Sequence, residues 1–359
     1  MQADATTGRL AVVRTNSASF SSPTAASDSL TFVKRDRDCE EEFRRISERD
    51  VFELALQGLY AGTATLLPQR SWAGMARRVA LLRIAKHRRK GYDRFSASLQ
   101  ATFGTLETDE IDALFIRWRS RLHERRLLVM ANLLSPVCPE FSISGRAALD
   151  RSVAAGKGVI LWSLQSAFQT LAGKRGLHEA GYRISQVSSS VHGPCHTAFG
   201  KAITNRSAIQ AENRYLAGRL VFETAEGSSM LRQALRLLKD GGTVNFTNTT
   251  FSGRSFVKMP FGVSGFVQMP LAPVALAAAQ GIPLHVVSTV ETAPFAAYRI
   301  DVSDDLTACL HGDKRRDHAA LAPVFLAARD QLLAMVKAYP DQFLVWSAIR
   351  TDPTRTVSA

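Results

Sequence analysis

Hydrophobic patterning is sharpest in Gly156-Lys-Gly-Val-Ile-Leu-Trp-Ser-Leu-Gln-Ser-Ala-Phe-Gln-Thr170. Its apolar run, Val159 to Trp162, contains no polar position, which predicts a strand buried on both faces of a parallel sheet. Small and polar residues follow, then a helical period from about Ser166 to Ala180. The alternation continues along the chain. It predicts a helix around Ala147 to Ala155, strands at Arg183 to Val187 and Arg219 to Phe222, and an amphipathic helix from Ser228 to Lys239 stopped by Gly241-Gly242. Thr243 to Phe246 predicts the next strand, Leu271 to Gln280 a small-residue helix, Leu284 to Val290 and Tyr298 to Val302 two β-rich segments, and Ala319 to Tyr339 a long terminal helix. Pro194 suits the first turn of a further helix. Together these elements predict an α/β fold with a mostly parallel central sheet flanked by helices, behind a helical N-terminal extension.

The N-terminal pattern is different. Residues 1 to about 35 lack periodicity and predict a disordered tail. From Arg35 to Asp50 charges crowd together, with Glu40, Glu41 and Glu42 ahead of Arg44 and Arg45, as on a solvated helix with local ion pairs. Val51 to Leu67 is apolar apart from Glu53 and Gln57, which suits a segment lying against a bilayer or packed on the domain. A basic stretch follows: Arg77, Arg78, Arg83 and Lys86-His87-Arg88-Arg89-Lys90, interleaved with Met75, Val79, Leu81, Leu82 and Ile84. A solvated basic face and a membrane-surface contact both fit it. Thr108 begins a helix with acids in its first turn. Ile111, Leu114, Phe115, Trp118 and Leu122 recur at helical spacing, and Arg117, Arg119, Arg121, Arg125 and Arg126 take other faces. The expected division is a tail over 1–35, a helical basic region over 36–140, an α/β domain over 141–350 and a tail over 351–359.

Charge narrows the partners. A net charge of +13 on 359 residues favours an anionic partner: nucleic acid, an anionic membrane surface, or a phosphorylated substrate or carrier. No nucleic-acid motif accompanies the basic residues at 77–90, so nucleic acid ranks last. Cys39, Cys138, Cys195 and Cys309 are scattered without ligand spacing, which fits free thiols in a reducing compartment. No apolar run reaches about eighteen residues, so no membrane-spanning helix is expected, and no secretory signal is recognised. P-loop and dinucleotide fingerprints are absent, because Gly156-Lys-Gly158 precedes its strand where such fingerprints follow one.

The strand and polar turn at 156–170 resemble, in position and flanks, the signature turn of the lysophospholipid acyltransferase superfamily, nearest to the late acyltransferases of lipid A biosynthesis. Other stretches carry the same resemblance in the same order: the helix and strand from Ser229 to Val244, Phe256-Val-Lys-Met-Pro-Phe-Gly262, Gly281-Ile-Pro283, and Tyr339-Pro-Asp-Gln-Phe343 with Trp346. It spans roughly residues 95 to 350. The resemblance implies acyl transfer from a thioester, on an acyl-carrier protein or coenzyme A, to a lipid or related amphipathic acceptor. It implies no metal or bound cofactor, and a peripheral protein on the cytoplasmic face of a membrane. It also implies a catalytic His-x-x-x-x-Asp/Glu after the strand. Here Gln165 stands where the His belongs and Thr170 where the acid belongs. A carboxamide has no usable basicity, although it donates hydrogen bonds to a carbonyl or oxyanion. Asn245-Phe-Thr-Asn-Thr-Thr250 likewise lacks the acid expected after its strand.

No histidine has an acid five positions later. His192-Gly-Pro-Cys-His196 is the compact His/Cys cluster. It offers a replacement base in His192 or His196, a thiolate activated at a helix N-terminus, or part of a metal site; equally, these are loop and cap residues. Ser163 and Ser166 flank the turn without a Gly-x-Ser-x-Gly elbow, so neither is expected to be a nucleophile. Ser163, Gly253, Arg254, Pro260, Phe261 and Gly262 are the expected substrate contacts, Arg254 for a phosphate or carboxylate. His285 fits a satisfied interior histidine, and His178, His311 and His318 fit the surface. Two functions stay open. One is an acyltransferase with an unusual base, substrate-assisted deprotonation or an amine acceptor. The other, favoured by Gln165, Thr170 and Thr249, is a catalytically inactive lipid- or partner-binding pseudoenzyme.

Overall fold

A computed structural model describes residues 15–18, 30–35, 45–87, 89–189, 192–222, 227–248, 255–310 and 319–351. Two strands, β1 (Thr15–Ala18) and β2 (Thr31–Arg35), precede four helices, α1 (Glu48–Leu66), α2 (Trp72–His87), α3 (Arg89–Phe103) and α4 (Thr108–Leu134). Alternation then begins with β3 (Glu140–Ser144), α5 (Arg146–Ala154), β4 (Val159–Ser163), α6 (Lys174–Glu179), β5 (Ile184–Ser189), α7 (Arg206–Asn213), β6 (Gly218–Phe222), α8 (Gly227–Lys239) and β7 (Thr243–Thr247). A hairpin of β8 (Ser255–Phe261) and β9 (Gly265–Pro270) leads to α9 (Ala272–Gln280), β10 (Leu284–Ala293), β11 (Ala297–Val302) and α10 (Ala322–Ala338).

The main sheet has the order β3-β11-β10-β4-β7-β5-β6, and every neighbouring pair is parallel except β10 with β11. The expected α/β architecture is therefore present. Central β4 is buried at all its positions, as its unbroken apolar run requires. Gly158 enters it at φ 77, where a Cβ would collide with the Leu238 carbonyl, so only glycine admits the strand so close to the end of α8. Trp162 then packs edge-on against Phe325 of α10.

A second, antiparallel sheet has the order β1-β2-β8-β9. Two of its strands fall within the stretch expected to be an unstructured tail. The aromatic and β-branched run Thr31-Phe-Val extends the β8 ladder from Thr31↔Lys258 to Lys34↔Ser255, and that pairing gives the segment its order. Residues 1–14, 19–29 and those from 352 onward lie outside the described residues. Phe256–Phe261 proves to be a strand with Phe256, Val257, Met259 and Phe261 in the core, turned at Gly262 against the Thr102 backbone of α3.

The expected boundary at 140 does not divide the core. Phe95, Leu99, Ile111 and Phe115 from α3 and α4 share one apolar cluster with Trp162, Val244, Phe343 and Trp346. On α1, Glu53, Leu56 and Tyr60 face inward, while Val51, Phe52, Leu54, Leu59 and Leu66 are exposed. No described helix is long and apolar enough to cross a membrane.

The helix expected over 166–180 starts late. Ser166 bridges to Phe343, its hydroxyl donates to the Thr289 carbonyl, and the Ala167 N–H donates to the Gln342 carbonyl at 2.7 Å. With the backbone committed to the C-terminal segment, helical bonding begins only at a π-turn, Gln169–Gly173, which runs into α6. Pro194 likewise sits in a loop, and the following π-turn, Gly200–Thr204, leads into α7.

One arginine fastens α4 to the sheet. Arg121 donates from Nη1 to Glu291 on β10 at 2.5 Å and to Glu124 at 2.7 Å, and from Nε to Asp341 at 2.9 Å. Glu291 also accepts from the Phe295 N–H at 2.7 Å and the Tyr298 hydroxyl at 3.1 Å. Burial, reinforced by neighbouring Glu124, pushes the Glu291 carboxyl up to about 7. A folded-state pKa above the unfolded one means that Glu291 contributes most below the ordinary carboxyl range and loses that contribution as pH rises through about 7. His123, held neutral by burial, acts in the opposite sense over the same range, so the informative quantity is a difference between two proteins. The isosteric Glu291→Gln variant should gain thermal stability relative to the parent as pH rises from about 5 to about 8. A gap in Tm that stays constant across that range would contradict this.

Candidate functional site

A cavity of about 450 Å³ opens at the carboxyl ends of β4, β5 and β7, between these strands and helices α1 and α4. Adjacent β4 and β7 send their outgoing connections in opposite directions, toward β5 and toward β10. In open α/β sheets such a point forms the ligand crevice.

The cavity floor is a chain of neutral polar groups. Gln169 Nε2 donates to Ser163 Oγ at 3.0 Å, Ser163 Oγ donates to Asn245 Oδ1 at 2.7 Å, and Asn245 Nδ2 donates to Gln186 Oε1 at 2.6 Å. All four residues are buried. Gln165 and Thr170, the degenerate motif positions, both line the cavity. Thr170 Oγ1 accepts from Arg125 Nε at 3.2 Å, and among the described residues the buried Oε1 atoms of Gln165 and Gln169 have no hydrogen-bond partner.

One wall carries charge. Glu212 of α7 is buried, with His192 Nε2 at 2.8 Å from Oε1, and Lys174 Nζ at 2.6 Å and Arg219 Nη2 at 3.0 Å from Oε2. Arg219 Nη1 continues to Ser188 Oγ at 2.7 Å. Burial by itself would raise the carboxyl, but Lys174, His192 and Arg219 overcome it and hold Glu212 well below the usual carboxylate range. An ionised carboxylate only accepts, so the His192 nitrogen facing it carries the hydrogen. Nδ1 is the nitrogen left to act as a base, and among the described residues it has no hydrogen-bond partner. Further along the wall Arg126 holds Glu53 at 2.8 Å, and Tyr60 bonds to His123. Burial, with Arg126, Arg83 and Arg119 adding to it, pushes His123 down to about 2, so it stays neutral.

The remaining expected residues divide clearly. Of the His/Cys cluster, His192 lines the cavity, while His196 is exposed and not among the lining residues. Cys195 is buried, and burial together with a hydrogen bond to Asp50 pushes its thiol up to about 12, the opposite of an activated thiolate. Among the described residues no three His, Cys, Asp or Glu side chains gather as a metal site. Ser163 lines the cavity. Pro260, Phe261 and Gly262 build the β8–β9 hairpin and do not line it, because Phe261 is consumed by the core. Gly253, Arg254, Thr249, His311 and His318 lie outside the described residues. His285 is a satisfied interior histidine, bonded to the Ser303 carbonyl and the Ser152 hydroxyl at 2.8 Å each, and His178 is exposed.

Glu212, Lys174, Arg219 and Gln186 did not stand out in the sequence. Glu212 follows His192 by twenty positions, and only the fold of the intervening crossover brings the two together. No family model matches the chain, and no curated protein matches it at a significant level.

Removing Glu212 leaves Lys174 buried without its carboxylate. Glu212→Ala should therefore destabilise the protein by about 3 kcal/mol or more in urea unfolding. A loss below about 1 kcal/mol, the range of an exposed pair, would show that the cluster is solvated.

Proposed function

We propose that the protein is a membrane-associated acyltransferase-like enzyme that moves an acyl group from a thioester donor to a lipid or related amphipathic acceptor, with His192 serving where Gln165 cannot. The observation that carries this reading is the His192–Glu212 pair in the wall of the strand-end cavity. Glu212 orients the imidazole and compensates its charge, the role a motif acid plays for a motif histidine. In this scheme His192 Nδ1 takes the proton of an acceptor hydroxyl as its oxygen attacks the thioester carbonyl. The tetrahedral intermediate expels the thiolate, which recovers the proton from the imidazolium. Gln165 faces the same space and suits hydrogen bonding to the carbonyl or oxyanion. The donor is an acyl-carrier protein or acyl-coenzyme A, and no metal or bound cofactor takes part.

A surface position on the cytoplasmic face of an anionic membrane suits the outer side of α1 and α2. Phe52, Leu59, Leu66, Leu81 and Leu82 are exposed there, and Arg77 and Arg78 are exposed on α2. Apolar side chains beside arginines favour anionic interfaces. The neutral chain from Gln169 to Gln186 supports a second reading, a lipid- or partner-binding pseudoenzyme, because the floor at the motif position contains no titratable group.

Mass spectrometry of reactions offered acyl-carrier-protein and acyl-coenzyme A thioesters, with membrane lipid extract as acceptor, separates the two. An acylated product is expected, reduced about a hundredfold or more in His192→Gln, the usual worth of a general base. Product formation insensitive to that change removes His192 from the mechanism, and no product from the parent favours the pseudoenzyme. Leu66→Asp with Leu82→Asp should abolish flotation with anionic vesicles while leaving the fold intact. Undiminished flotation would place the membrane contact elsewhere.

A further inference from the structure

Arg125 is a charged residue of the cavity that the preceding scheme leaves unused. It projects from α4 beside the strand ends, and its Nε is fixed by Thr170 Oγ1 at 3.2 Å. The two nearby carboxylates are committed elsewhere. Glu53 is held by Arg126 at 2.8 Å, and Glu212 by Lys174, His192 and Arg219. Among the described residues no carboxylate forms an ion pair with Arg125, and its terminal nitrogens have no hydrogen-bond partner. Protein surrounds the guanidinium, and burial pushes its pKa down, yet the side chain still presents surface to the cavity. A desolvated cation without an ion-pair partner is costly, and a guanidinium with unbonded terminal nitrogens beside a cavity matches a carboxylate or phosphate.

Apolar side chains lie on the same wall as the Glu53–Arg126 pair. Leu56 of α1 and Leu122, Val129 and Met130 of α4 line the same cavity. Charge at one point and hydrocarbon beside it define an amphipathic occupant, and about 450 Å³ is ordinary for a small-molecule pocket. We propose that the cavity binds an anionic amphiphile, with Arg125 gripping its carboxylate or phosphate head and the α1–α4 wall taking its chain. This deepens the proposed function by naming the substrate or product class, and it rests on that reading only in taking the cavity as the ligand site.

Isothermal titration calorimetry on the full chain, with monomeric dodecanoate, dodecyl phosphate and dodecanol, tests it without requiring turnover. Either anion should bind the parent more tightly than the alcohol, and the tighter of the two identifies the head group. Arg125→Gln should weaken anion binding at least about tenfold, the worth of a charge-assisted hydrogen bond, and leave dodecanol unchanged. Arg183→Gln, which removes the same charge from an exposed position just before β5, should bind as the parent does. Anions should also raise the Tm of the parent and not that of Arg125→Gln, a readout that simultaneously reports whether the variant is folded. Equal binding of alcohol and anions by the parent, or undiminished anion binding by a folded Arg125→Gln, overturns the proposal. Either result leaves the His192 transfer assay to be judged separately.

Discussion

A buried carboxylate sets the terms for the rest of this site. Glu212 lies in the interior and stays ionised because groups from three other segments donate to it: the Lys174 ammonium at the start of α6, the His192 ring in the loop after β5, and the Arg219 guanidinium on β6. Each contact is also a constraint on the chain. The crossover between β5 and β6 must return α7 over the strand ends, and the π-turn before α6 must present Lys174 inward. Buried ion pairs add little net stability compared with apolar packing, but breaking one is expensive, so such a cluster fixes an arrangement more than it strengthens it. What it fixes here is the orientation of an imidazole.

The opposite side of the cavity depends on a separate clasp. Arg121 joins α4 to β10 and to the segment after α10, and the aromatic cluster of Phe95, Phe115, Trp118, Phe343 and Trp346 packs beside it. The helical region and the sheet thereby share one core, and the space left between them at the strand ends becomes the cavity. Polar groups on the floor, a His–Glu pair on one wall and an arginine directed in from α4 surround an apolar lining. That combination suits an amphipathic ligand with a polar centre for reaction or recognition.

Much of the fold was legible in the sequence, and physical reasons separate what was from what was not. The unbroken run Val159 to Trp162 announced a central strand because burial on both faces requires apolar residues throughout. Gly241-Gly242 and Gly281 marked helix ends through their permissive backbone. The helix after β4 was misplaced because the Gln165 carbonyl and the Ala167 N–H are bonded to Leu344 and Gln342, far away in sequence. The strands at 15–18 and 31–35 were missed because their order comes from pairing, β2 with β8 and β1 with β2, rather than from local pattern. At the site, the turn carrying Gln165 and Thr170 was locatable from its flanking glycines and strand. Glu212 was invisible because a tertiary contact between a loop histidine and a short helix leaves no fixed spacing. Pro260, Phe261 and Gly262 belong to the β8–β9 hairpin outside the cavity lining, with Phe261 in the core.

The account centres on Glu212 holding His192 with Nδ1 available as a base. Long-range ¹H–¹⁵N correlation spectra of the imidazole, assigned with a His192→Gln variant, measure this directly. In the neutral ring, Nε2 should carry the proton and Nδ1 should show the shift of an unprotonated nitrogen, and Glu212→Gln should release that preference. A ring protonated at Nδ1, or a tautomer mixture that Glu212→Gln does not alter, would contradict the account.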